Sequence, residues 1–332
     1  MKIKMLVLSI VVSTIVVVLL AFDSKPSFKV LATDYVNDIT EIYTYRGNHL
    51  VNKDVYQIGG VEIINNNKNE KVMFNKYGNE LITIANQKVK NFKIKKNPLQ
   101  IEKFNNKNFA LHNEGINSFQ LQVYDNNYNV TNQSIKTDGY ARNFIIINNL
   151  IYVLANKYDL EQNRTVGVYV FNLTTLETLH FTEMEELTFG FHMEKFGDTI
   201  EIYGNSSEVK KDLTTYSLNI KNFESKLIIK SDIPVIWVSK ILKIDGYNII
   251  LNNYSIISID NSKNIKVEYK NDQTLIDFEY DEKKRVFYLL SGDFATKKFQ
   301  VQKLNQKFEL IETIYLNENN KTPTDLILEK KV

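Results

Sequence analysis

Cysteine is absent from the 332 residues, so no disulfide framework, thiol nucleophile or lipid attachment through an N-terminal cysteine is available. The fold must hold by burial and backbone hydrogen bonding alone. Proline occurs only four times and glycine twelve times, and no stretch rich in either divides the body into domains. Arginine is nearly missing, with Arg46, Arg142, Arg164 and Arg285 standing against a large excess of lysine. Because bidentate readout of phosphate and guanine leans on arginine, and the formal net charge is only +2, nucleic acid is not an expected partner. No Gly-rich phosphate loop, no Gly-x-Ser-x-Gly elbow and no Asp-rich calcium loop is present, so no cofactor, nucleotide or metal is implied. After Phe22 no long stretch carries the 3.6-residue period of an amphipathic helix.

What the chain does have is an apolar N-terminal run. Met5 to Phe22 is broken only by Ser9, Ser13 and Thr14, with Lys2 and Lys4 in front and Asp23 behind. That length reaches the lower end of what spans a bilayer, and the flanking charges place the N-terminus inside and the body outside. A cleaved secretory signal is the alternative, with Val30-Leu31-Ala32 as a small-residue cleavage site. Either way the body is expected outside the cytoplasm. Residues 1–32 read as anchor or signal plus linker, and 33–332 as one domain.

Within that domain a phrase recurs: an apolar run, then Asn or Asp, then a polar turn. It ends at Asn75, Asp125, Asn172, Asn219, Asp260 and Asn305, in steps of 50, 47, 47, 41 and 45 residues. Between these lie short hairpins turning at Asn105–Lys107, Asn148-Asn149, Gly197-Asp198, Asp245-Gly246 and Asp281–Lys284, with a sixth read at Gly59-Gly60. Two hairpins per forty to fifty residues make a four-stranded blade, and such blades must pack in a closed ring to bury their faces. The sequence therefore predicts an all-β propeller of six four-stranded blades, with seven as the alternative if residues 33–50 hold another.

The segment Phe278-Glu279-Tyr280-Asp281-Glu282-Lys283-Lys284-Arg285-Val286-Phe287-Tyr288 resembles the repeat of bacterial extracytoplasmic propellers, in which an Asp-led turn separates the two inner strands. The Lys and Asn bias is similarly that of bacteria with AT-rich genomes. Neither the paired Gly-His and Trp-Asp signature of WD40 blades nor the Kelch glycine doublet accompanies it, so the resemblance carries over no functional residues.

Candidate site residues follow from geometry common to propellers. Loops leading into the innermost strands gather on one face around the channel, and here those positions hold Arg142, Trp237 and Asp277, with His192 close by. Trp237 is the one tryptophan, and Trp and Arg are over-represented at binding hot spots. Packing of Trp237 in the core behind Val235-Ile236 is the competing reading. Asp277 and Glu279 alternate onto one side of a strand and could line the channel. His180 and His192 flank Glu183, Glu185, Glu186 and Glu194, a spacing that solvated loops show more often than metal sites do. The expectation is a binding module for a protein, peptide or cell-envelope glycan, held at the membrane by its N-terminal helix. A hydrolase or lyase acting on extracellular carbohydrate, and a structural part of a membrane assembly, stand as alternatives.

Overall fold

The computed structural model describes residues 27–34, 36–59, 61–67, 70–85, 88–158, 164–206, 211–316 and 321–328. The apolar run and its anchor or signal lie outside these residues. No helix among the described residues is long and apolar enough to cross a membrane. The described residues form seven antiparallel sheets, six of four strands and one of five, arranged as the blades of a propeller.

Blade 1 combines Thr322–Leu328 from the C-terminus with Ser27–Asp34, Ile39–Arg46 and His49–Tyr56. Blades 2 to 7 follow in chain order and begin with the inner strands Val61–Asn67, Pro98–Phe104, Tyr140–Ile147, Phe189–Phe196, Val238–Ile244 and Thr274–Asp281. Thr322–Leu328 takes the corresponding inner place in blade 1 and lies beside the inner strands of blades 7 and 2. The first described strand, Ser27–Asp34, already belongs to blade 1, with Phe28, Val30, Leu31 and Ala32 buried in it.

The ring holds because the middle strands of each blade are covered on both faces. Ile151-Tyr152-Val153-Leu154 in blade 4 is buried throughout, whereas the outer strand Thr178–Glu183 is largely exposed. Continuous apolar runs are what a doubly covered strand requires, and mixed polar sequence suits an outer edge. The buried side chains divide into seven clusters, one in each interface between neighbouring blades.

Seven blades replace the six expected, and the slip has a local cause. At Asp125, Asn172, Asn219, Asp260 and Asn305 the phrase closes the turn from the third to the outer strand, and each side-chain oxygen accepts a backbone N–H two to four residues on. Asn75 makes a like bond to Tyr77 but ends the second strand of its blade, one strand early. In blade 1 the equivalent turn uses Gly47, at φ 63°, in place of an Asx. The hairpin read at Gly59 is the passage from the outer strand of blade 1 to the inner strand of blade 2.

Candidate ligand-binding site

Inner strands of six blades carry a β-bulge at one equivalent place. The registers skip Leu99, Arg142, Phe191, Ser239 and Ile276, and Thr324 in the C-terminal strand. A bulge breaks pairing locally and re-aims the extra side chain. Gln100, Asn143, Lys240 and Asp277, each the residue after a bulge, reach the next blade. Gln100 exchanges two hydrogen bonds with the Phe144 backbone, both at 2.9 Å. Asn143 does the same with Met193, at 2.8 and 3.2 Å.

At the bulge of blade 4, Arg142 is turned into a nest of rings. Its guanidinium carbon lies 4.2 Å from the centroid of Phe189, 4.9 Å from Tyr140 and 5.0 Å from Trp237. Each such contact is worth about 0.5–2 kcal/mol, and more as water is removed. Burial pulls the guanidinium below its ordinary value, while Tyr140 and Tyr158 oppose the shift. An arginine nonetheless stays charged in a protein. Its Nε is buried with no hydrogen-bond partner among the described residues, and no described carboxylate forms an ion pair with it.

Beside this nest a cleft of ≈ 320 Å³ opens on the face where the chain enters the inner strands, lined by Arg164, Phe189, Phe191, Asn205, Lys211, Ile236 and Trp237. Trp237 stands 5.7 Å from Phe191, centroid to centroid, and is 39% exposed. It is therefore a wall of the cleft, while its neighbour Val235 takes the core position. Arg164 packs on Tyr158 at 5.2 Å.

The cleft lies where a repeated contact is missing. Asn113 and Asn156 hold equivalent places near the ends of second strands, and each exchanges two hydrogen bonds with the next inner strand. Asn113 holds Ala141 at 2.9 and 3.1 Å, and Asn156 holds Gly190 at 2.8 and 3.1 Å. Asn205 is the third of this series and would hold Val238. Its Oδ1 is instead buried without a hydrogen-bond partner among the described residues, although the residue is only 6% exposed. The connection leading to Trp237 is held from the other side, where the Ile236 N–H donates to Asn252 Oδ1 at 3.1 Å.

Of the four residues singled out in the sequence, the structure brings Arg142 and Trp237 into contact. Asp277 and His192 sit one place after their bulges, in the clasping positions. Asp277 Oδ2 accepts the Leu326 N–H at 2.8 Å, and its Oδ1 accepts the Phe278 N–H at 2.8 Å. Lys240 Nζ bridges Asp277, at 3.1 Å, and Glu279, at 2.7 Å. His192 Nε2 lies 3.5 Å from Glu194 Oε2. Of the nearby acids, Glu186 pairs with Lys230 at 2.5 Å, and no cluster of three or more potential metal ligands occurs among the described residues. The sequence reading missed Asn205, Arg164 and Lys211. Asn205 carries no compositional signal in a chain so rich in Asn, but its alignment with Asn113 and Asn156 in the repeat could have shown it.

No family model matches the chain, and no curated protein does. Solved structures match across most of its length. AztD from Citrobacter koseri, in its apo form, shares 12% identity at a TM-score of 0.54, covering 92% of this chain and 100% of that one. A quinonprotein alcohol dehydrogenase-like protein from Bacteroides thetaiotaomicron shares 10% at a TM-score of 0.63, covering 92% and 78%. A putative 6-phosphogluconolactonase from Bacteroides uniformis shares 9% at 0.62, covering 92% and 99%. The likeness is one of fold, and it places this chain among seven-bladed β-propellers resembling these three. Propellers host many unrelated functions, so the site must carry any further argument.

Proposed function

We propose that the protein is an exported, membrane-anchored propeller that acts by binding a protein, peptide or glycan of the cell envelope in the cleft shared by blades 4, 5 and 6. The supporting observation is the meeting of Arg142 with Trp237 and Phe189 at the wall of an open cleft. Exposed aromatic walls beside cations are what binding hot spots are built from. The anchor rests on the Met5–Phe22 run and the lysines before it.

Crosslinking on intact cells followed by purification of the full-length chain tests this reading. Envelope material should copurify with the wild-type chain and fall away with Trp237→Ala, while the variant still folds and unfolds in one transition with a loss of about 1–2 kcal/mol, the size of the Arg142 contact it gives up. Equal capture by both chains would move binding elsewhere. Loss of capture together with unfolding would return Trp237 to a structural role.

A further inference from the structure

Resting on the reading that this cleft holds a ligand, we infer that its ligand is an acidic sugar: a pyranose ring bearing a carboxylate, free or within a polysaccharide. Three unmet demands in one place argue for it. Arg142 is a half-buried cation lacking both a carboxylate and a hydrogen bond for Nε among the described residues. Buried charges in proteins are as a rule paired, and an arginine presents a planar fork suited to a carboxylate. Arg164 and Lys211 also line the cleft, and its described lining residues include no acid. The missing counter-ion is the ligand's.

The second demand is that of Asn205 Oδ1, an acceptor buried without a donor among the described residues. A ligand hydroxyl supplies one. The third is that of the apolar wall, where Trp237 and Ile236 are 39% and 43% exposed around Phe191. The flat C–H face of a sugar ring covers an indole face while its hydroxyls stay available at the rim. A bare anion meets only the first demand and a neutral sugar only the second and third. An acidic peptide brings a carboxylate and an N–H donor but has no ring face to lay on Trp237 unless it adds an aromatic residue.

Trp237, the only tryptophan in the chain, reports on the cleft directly by fluorescence. The full-length protein in detergent would be titrated with glucuronate, with glucose as the neutral ring, acetate as the bare anion and a short glutamate-rich peptide as the competing class. Glucuronate should give a saturable change in emission and bind at least about tenfold tighter than glucose or acetate, as expected when a charge-assisted fork is added. Added salt should weaken it. Arg142→Gln and Asn205→Ala should each weaken it by about tenfold or more, with Arg142→Lys intermediate because charge is kept and the fork lost. Circular dichroism and the unfolding midpoint of each variant separate loss of a contact from loss of the fold, and glucose binding to Arg142→Gln should persist.

Glucuronate binding no tighter than glucose or acetate, or tighter binding of the peptide, overturns the inference. In that event, envelope material captured through Trp237 would leave the binding reading standing. No emission change with any probe, together with no Trp237-dependent capture, would end both.

Discussion

His112 shows how a single side chain ties this fold to pH. It has no exposed surface, its Nδ1 lies 3.2 Å from the Lys96 carbonyl and its Nε2 lies 3.2 Å from the Tyr124 hydroxyl. Burial lowers its pKa from 6.5 to about 4. The unfolded chain therefore takes up this proton first, and the stability tied to neutral His112 is complete above pH 6.5 and lost as pH falls toward 4. The loss amounts to about 3 kcal/mol. Glu102 acts in the opposite sense. Burial, reinforced by Glu194, raises its carboxyl from 4.5 to about 7, with the 2.6 Å bond from Gln100 opposing. Its contribution is present below pH 4.5 and lost as pH rises through 7. Denaturation midpoints from pH 4 to 8 should show His112→Gln flattening the acid side and Glu102→Gln raising stability on the neutral side. Parallel shifts across the whole range would refute both assignments. Neither group could be found in the sequence, since burial decides both. Arg142 and Trp237 could, because each belongs to a residue type used four times or once, so their presence at strand starts stood out.

At the scale of the element, the repeated unit is a bulged inner strand whose next residue clasps its neighbour. Asn143 satisfies both the N–H and the C=O of Met193, a residue with no exposed surface. Replacing Asn143 with Ala leaves these two backbone groups wanting, at about 1–3 kcal/mol each unless water enters. The unfolding free energy should fall by about 2–6 kcal/mol if both groups stay dry, and by less if water reaches one, while the hydrophobic clusters on either side remain. An Asn143→Ala chain as stable as wild type would show the clasp to be dispensable. The turns after the third strands were half legible. Their Asx residues were visible as a period, but the second half of the device was not: Tyr128, Leu176, Phe223, Lys263 and Phe308 adopt φ between 59° and 65°, and each N–H returns to the Asx carbonyl. Left-handed backbone is costly for large side chains. Here it tucks Tyr128, Leu176 and Phe308 out of solvent, and Phe308 stacks on Phe287 at 4.7 Å. Composition alone assigns such residues to strands, which is why the turn was seen only by its polar end. Gly47 and the early Asn75 then hid the seventh blade.

For the whole molecule the decisive strand is the last. Thr322–Leu328 pairs with Ser27–Asp34 from Phe28 opposite Leu328 to Thr33 opposite Thr322, so the two ends of the chain close one sheet. A signal cleavage after Ala32 would remove most of the Ser27–Asp34 strand, so any cut is expected before Ser27, and N-terminal sequencing of the mature chain checks this. Leu326 is fully buried and packs with Phe28 and Tyr288, Ile327 packs against the blade 1–2 cluster, and the Leu326 N–H is held by Asp277 of blade 7. Deleting Thr322 to Val332 exposes apolar side chains worth about 1.5–3 kcal/mol each, strips Ser27–Asp34 of one ladder and leaves Asp277 Oδ2 without its donor. Because every blade is covered by two neighbours, the loss is not confined to blade 1. The truncated chain should unfold at a much lower denaturant concentration, still in one transition, or fail to fold. A synthetic peptide of residues 322–328 should restore part of the midpoint by adding itself as a strand. An unchanged midpoint would mean that the ring stays closed through its other contacts. Recovery by a scrambled peptide would show that the rescue does not depend on the register of Leu326 against Val30.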